Sequence, residues 1–186
     1  MGDRAERDTD VPEETYDELA GVVDLFGALT RAELERALDE LAFKQGADAD
    51  TEALAAAVDD AVERYYLVEF EPEDGVAGAP DGATLLAVGP VAFPVLPENA
   101  EDLPLILDVP ERTVDRAVVG ERAADRLVRD AEAAVSDDEA DGRRLERLLD
   151  VAYDVEAWAP VEATAARETL DEALEALEAK SEGELE

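Results

Sequence analysis

Residues 51–88, TEALAAAVDDAVERYYLVEFEPEDGVAGAPDGATLLAV, change their hydrophobic period midway. Leu54, Ala57, Val58, Ala61, Val62 and Tyr65 recur at i, i+3, i+4, i+7, i+8 and i+11, which is one stripe of an amphipathic helix starting near Thr51. The period then becomes strand-like. Tyr66–Phe70 (YLVEF) is aromatic and β-branched, and Thr84–Val88 (TLLAV) is a second run of the same kind, so the two are expected to pair as a hairpin. Asp74-Gly75 and Pro80-Asp81-Gly82 are turn signals, and the small residues between the strands predict a long mobile tip.

Upstream, two more helices are legible. Thr30 and Glu33 form a T-x-x-E capping box with Leu29 and Leu34 as its hydrophobic staple, so a helix is expected to start at Thr30. Its stripe is Leu34, Ala37, Leu38, Leu41 and Ala42, and Gly46 is placed to end it in the left-handed conformation. Before it, Pro12 sits just inside a pattern in which Tyr16, Leu19, Ala20, Val23 and Phe26 mark a first helix.

Downstream, prolines at 90, 94, 97, 104 and 110 interrupt any regular element, and an extended connector with short strands is expected there, LPLIL (103–107) being one candidate. The remainder reads as helix, from about Glu111 to Val135, Asp141 to Trp158 and Val161 to Lys180. Leu145, Leu148, Leu149, Ala152 and Val155 supply one core stripe, and Leu170, Leu174 and Leu177 another. Phe26, Tyr153 and Trp158 are expected in the core.

Three helices followed by a two-stranded ribbon resemble, in architecture, a winged-helix domain, with the third helix as recognition helix and the hairpin as wing. The expected fold is therefore α+β and mostly helical, with a winged-helix-like three-helix plus β-hairpin N-terminal half and a helical C-terminal half. The expected limits are a disordered leader at 1–12, the winged-helix-like unit at 13–93, a proline-rich connector at 94–110, a helical region at 111–180 and a frayed tail at 181–186.

Charge dominates the composition. The 186 residues carry 51 acids against 16 basic residues, a formal net charge of −35, whereas small soluble domains usually stay within roughly 2 to 8 charges of neutrality. Such imbalance strains a compact state by self-repulsion unless salt screens it, and the Debye length shrinks from about 10 Å at 0.1 M to about 3 Å at 1 M. Lys44 and Lys180 are the only lysines, and Ala and Val carry much of the apolar content. The composition predicts adaptation to molar salt. The segment VVDLFGALTRAELERALDELAFKQG (22–46) resembles the N-terminal signature of an uncharacterised family of acidic haloarchaeal proteins, a resemblance that implies no activity and transfers no functional residue.

Function is constrained mainly by what is missing. There is no His and no Cys, hence no imidazole base, thiol nucleophile, disulfide or usual zinc shell. Ser136 and Ser181 are the only serines, both in polar segments, and no glycine-rich phosphate loop or G-x-S-x-G occurs. Carboxylate pairs such as Asp59 with Glu63 arise by chance among 51 acids. No catalytic, cofactor or metal residue is expected. The acids at Asp48 and Asp50, and at Asp137, Asp138, Glu139 and Asp141, depart from the EF-hand pattern and are expected to hold solvent cations loosely. No apolar run approaches the roughly 18 residues of a membrane span and the start MGDRAERDTD is polar, which predicts a cytoplasmic protein without a membrane partner.

Two interaction candidates remain. The third helix presents Glu52, Asp59, Asp60 and Glu63 outward, with Arg64 as its only cation. Docking it on DNA would set four carboxylates against phosphates, which counterion release cannot drive. Arg112, Arg116, Arg122, Arg126 and Arg129 share one sector of the expected helix 111–135, yet Asp115 and Asp130 fall in it too, so intrahelical ion pairing is favoured over an anion-binding strip. Gly120 is expected to weaken that helix. The residues expected to make contacts are Asp59, Asp60, Glu63, Arg64, Arg122, Arg126 and Arg129. Together these features favour a non-enzymatic protein working through an unidentified protein partner, with a DNA-binding transcriptional regulator as the alternative.

Overall fold

The computed structural model describes residues 12–47, 50–72, 76–136 and 141–183. The described part is mostly helical with one small antiparallel sheet. Helix α1 (Glu13–Phe26) opens behind Pro12 and closes at Gly27, whose φ of 77° suits a residue without a side chain. Helix α2 (Arg31–Lys44) starts with the capping box the sequence predicts. The Thr30 amide donates to Glu33 Oε2 at 2.8 Å, and the Glu33 amide donates to Thr30 Oγ1 at 3.2 Å. Its far end is a Schellman motif, with Ala47 donating to the Ala42 carbonyl and Gly46 (φ 72°) to that of Phe43.

Helix α3 (Thr51–Glu63) is capped by Asp50, whose carboxylate accepts from the Ala53 amide at 3.1 Å. Strands β1 (Leu67–Phe70) and β2 (Leu85–Val88) follow, pairing antiparallel from Leu67 opposite Val88 to Phe70 opposite Leu85. Between α1 and α2, Leu29 adds a single bridge to the open edge of β2, exchanging both backbone hydrogen bonds with Leu86.

The sheet is buried on both faces. Leu67, Leu86 and Val88 face a core built from α1, α2 and α3, centred on Tyr16, Phe26, Leu29 and Leu34. Val68, Phe70, Leu85 and Ala87 face a second core with Val119, Leu127, Leu145 and Leu170. Each large side chain buried there stabilises the fold by about 2 kcal/mol, so the hairpin is held from both sides. The units expected at 13–93 and 111–180 thus share one sheet.

The second core belongs to three mutually packed helices, α5 (Arg116–Val135), α6 (Gly142–Trp158) and α7 (Thr164–Gly183). Asp141 caps α6 through the Arg143 amide at 3.1 Å, so Asp50 and Asp141, both expected to attract solvent cations, spend a carboxylate oxygen on a helix start. Asp48 and residues 137–139 of those acid clusters lie outside the described residues, as do the leader 1–11, the Asp74-Gly75 turn and the last three residues of the tail.

Three local expectations need correction. LPLIL is no strand: Leu103–Ile106 forms a short helix, α4, behind a 3-10 turn at Ala100–Asp102, because Pro104 falls in the first helical turn, where its missing N–H costs nothing. Arg112 is not helical, since α5 begins at Arg116 behind its cap Asp115. Tyr153 is 51% exposed with Arg167 stacked over its ring at 5.5 Å, and Trp158 is half-buried under Arg116 at 5.3 Å; only Phe26 of the three aromatics is fully in the core. Gly120 is a packing residue. A Cβ there would lie 2.4 Å from Ala159 Cβ, so its bare backbone admits the chain between α6 and α7.

Candidate interaction surfaces

The residues at the junction of α3 and β1 come together with α5 and α6. Tyr65 has a φ of 65°, a conformation rare for a side-chain-bearing residue. This twist sends Tyr65 into the second core and Tyr66 into the first. Its carbonyl accepts from Val91 at 3.3 Å, and Gly89 passes so close that a Cβ there would lie 2.2 Å from that oxygen. The Tyr65 hydroxyl donates to Asp130 Oδ2 at 2.5 Å. Burial, then the Asp130 hydrogen bond and charge, push the phenol far above its ordinary value, and Arg126 and Arg129 oppose them only in part.

Arg126 closes the C-terminal end of α3. It donates to the Val62 carbonyl and, at 3.0 Å, to the Glu63 carbonyl, while its guanidinium lies 4.3 Å from the centre of the Tyr65 ring and 3.2 Å from Asp130. A cation there complements the negative end of the helix dipole. Arg64 packs over Tyr16 at 5.5 Å and stands 3.8 Å from Asp60, which accepts the Tyr16 hydroxyl at 2.8 Å. Asp59 binds Arg31 at 2.6 Å, and Arg31 reaches across to Glu69 on β1 at 2.8 Å.

Asp60, Arg64, Tyr65, Arg126 and Asp130 line a cleft of about 520 Å³ that also includes Arg144, Arg147 and Asp154 of α6. Burial, and then the neighbouring Asp150, raise the Asp154 carboxyl. Burial and the charges of Glu13 and Asp17 raise Tyr66, with Arg64 opposing. The expected contact residues separate accordingly. Asp60, Glu63, Arg64 and Arg126 meet in the cleft, Asp59 sits on the Arg31 bridge, and Arg122 and Arg129 do not line the cleft. The favoured intrahelical pairing is present as Arg126 with Asp130, one helical turn apart. The basic strip is not continuous, because Arg112 has left the helix and is only 3% exposed.

Sequence reasoning missed what Arg112 does. Its amide donates to the Phe26 carbonyl, and its guanidinium meets the Glu33 carboxylate with two hydrogen bonds of 2.7 and 2.8 Å. It also donates to the Ala28 carbonyl at 2.8 Å and to the Gly78 carbonyl, at 2.9 Å from one nitrogen and 3.2 Å from another. One buried cation therefore joins the start of α2 to the hairpin tip. Burial alone would raise the Glu33 carboxyl, but the hydrogen bonds from Arg112 and Thr30 hold it below its ordinary value. The tip is strapped at Gly78 instead of hanging free there, and Pro110 packs so closely that a Cβ on Gly78 would lie 2.7 Å from its ring.

The apolar surface is concentrated elsewhere. Among the described residues, five of the nine exposed large apolar side chains fall within residues 93–106: Phe93, Val95, Leu96, Leu105 and Ile106. Phe93 is 79% and Leu105 87% exposed. The start of this segment is fixed on α1, where the Val95 amide donates to the Asp17 carbonyl at 3.0 Å and the Phe93 amide to the Asp17 carboxylate at 2.9 Å. Lys44, at the end of α2, donates to the Asn99 carbonyl at 3.3 Å. Among the described residues no helix is long and apolar enough to cross a membrane.

Two cores sharing one strapped hairpin define a mostly helical α+β protein in which Arg31, Arg64 and Arg126 at the junction pair with Asp59, Glu69, Asp60 and Asp130. Residues 17–175 match the family of unknown function DUF7109, and the chain belongs to that family. No curated protein and no solved structure matches it.

Proposed function

We propose that this protein is non-enzymatic and salt-adapted, and that it acts through protein–protein contacts, with a winged-helix-like first half serving as a docking module. The winged-helix-like reading is supported by element order: helix, bridging residue Leu29, two helices, then the hairpin whose second strand Leu29 joins. The single observation that carries the contact reading is the exposed apolar strip at 93–106. A partner seated on this segment would take five large apolar side chains, exposed within fourteen residues, out of water.

Nothing favours the DNA-binding alternative. The would-be recognition helix carries Glu52, Asp59 and Glu63 on exposed positions, and the hairpin is enclosed by both cores and strapped at Gly78. Counterion release has no cationic face there to act on.

The test is affinity capture of the full chain from lysate at native salt, with and without nuclease, beside a Phe93→Ser, Leu105→Ser, Ile106→Ser triple variant. A defined set of proteins that survives nuclease and is lost from the variant is the expected result. Recovery of nucleic acid, with partners vanishing on nuclease treatment, would overturn it.

A further inference from the structure

A groove of about 460 Å³ opens between α1, α2 and α3, within the size range of sites that take a small ligand or a few side chains. Its walls include Leu19, Leu38, Leu41 and Leu54, of which Leu38 and Leu54 are only half-buried. Leu38 and Leu54 therefore keep an open side. Pro97 forms part of the lining, and the exposed Val95 and Leu96 precede it in the chain. Phe43, 76% exposed, stands on α2 next to the lining residue Ala42.

The charge around this opening has one sign. Among the described residues that line it there is no Lys or Arg, whereas Glu18 and Asp50 are both present. The nearby Lys44 is neutralised by Asp102 at 3.8 Å. The cleft at the α3–β1 junction, by contrast, is mixed in sign, with Arg64, Arg126, Arg144 and Arg147 set among acids such as Asp60, Asp130 and Asp154.

We propose that the groove between α1, α2 and α3 docks a short cationic amphipathic segment of a partner protein, its apolar side chains on the leucines and its cations toward Glu18 and Asp50. The proposal rests on the protein-contact reading above and adds the partner's chemistry. A second copy docked by the same face would set Glu18 and Asp50 of one copy against those of the other, with no cation among the described lining residues to pair with them. The apolar floor supplies affinity that survives salt, and the acidic rim selects the sign of the partner.

The probe is a labelled synthetic helix with Leu at i, i+4 and i+7 and Arg on its opposite face, beside the same helix with Glu in place of Arg. Binding to the full chain is read by fluorescence anisotropy across a KCl series. The Arg helix should bind saturably and the Glu helix at least about tenfold more weakly, while Ala53→Arg and Leu54→Glu should each weaken the Arg helix by about tenfold or more. Ala53 is exposed, so its variant should keep the wild-type circular dichroism even if Leu54→Glu does not. No saturable binding by the Arg helix, equal binding of both helices, or binding unchanged by Ala53→Arg would overturn the proposal. So would a dimer, seen by sedimentation, that Ala53→Arg dissolves. Should any of these occur while nuclease-resistant partners still depend on Phe93, Leu105 and Ile106, the groove assignment falls and the protein-contact reading stands.

Discussion

Arg112 and Glu33 lie 79 residues apart in the chain and meet by two parallel hydrogen bonds, with the guanidinium almost wholly buried. Glu33 also completes the cap of α2, and Arg112 also holds the hairpin tip at Gly78. A helix start, a hairpin and the chain leading into α5 therefore depend on one ion pair. Removing one member of a buried pair leaves the other charged and desolvated. Arg112→Met should destabilise the protein by about 3–5 kcal/mol in urea denaturation at fixed KCl, and adding Glu33→Gln should recover part of that loss. Arg112→Lys should fall between, since an ammonium cannot reproduce the forked contact.

The same pair predicts an acid dependence. The folded-state carboxyl of Glu33 is held below its ordinary value near 4.5, so its stabilisation is fully present above that value and is lost as pH falls through the folded one. The stability gap between wild type and Glu33→Gln should thus be widest above pH 4.5 and narrow on acidification. A gap that does not change with pH would contradict the sign.

Tyr65 gives the opposite sign at the alkaline end. Its phenol is raised above the ordinary value of 10, so its contribution is complete below pH 10 and declines as pH rises beyond it, where the unfolded chain ionises first. Spectrophotometric titration should find Tyr65 among the tyrosines that ionise late, and Tyr65→Phe should lower the late-ionising amplitude by one tyrosine. At neutral pH that variant should cost about 1.5–3 kcal/mol, the usual worth of a hydrogen bond to a charged group.

Glycines at two helix positions should respond differently to a methyl group. Gly120→Ala drives a Cβ against Ala159 and should cost about 1–3 kcal/mol despite the better helix propensity of alanine. At Gly46, open space surrounds the added carbon and only the positive φ resists it, so Gly46→Ala should cost about 1–2 kcal/mol. Thermal denaturation of the two variants at one salt concentration checks both.

Net charge predicts the salt response. Thermal unfolding midpoints followed by circular dichroism should climb steeply with KCl toward 1 M as the Debye length contracts. A midpoint indifferent to salt would remove the case for salt adaptation.

The sequence by itself determined the features whose causes are local. Thr30 with Glu33, Gly46 and the apolar stripes act over one to three helical turns, and the shift to period two at Tyr66 marked the hairpin. The exposed strip at 93–106 was legible only as a proline-broken stretch, because whether an apolar residue there is covered depends on what folds over it. Tertiary structure alone decided the rest. Arg112 sits in sequence beside a helical run of arginines, and nothing within a few residues reveals that Glu33, Ala28 and Gly78 will converge on it. Tyr65 continues the apolar stripe of α3, yet the positive φ that ends this stripe is imposed by Gly89, Val91 and the two cores on either side. Periodicity and caps are written in neighbours along the chain, whereas a buried ion pair or a forced backbone angle is set by groups that only folding brings within reach.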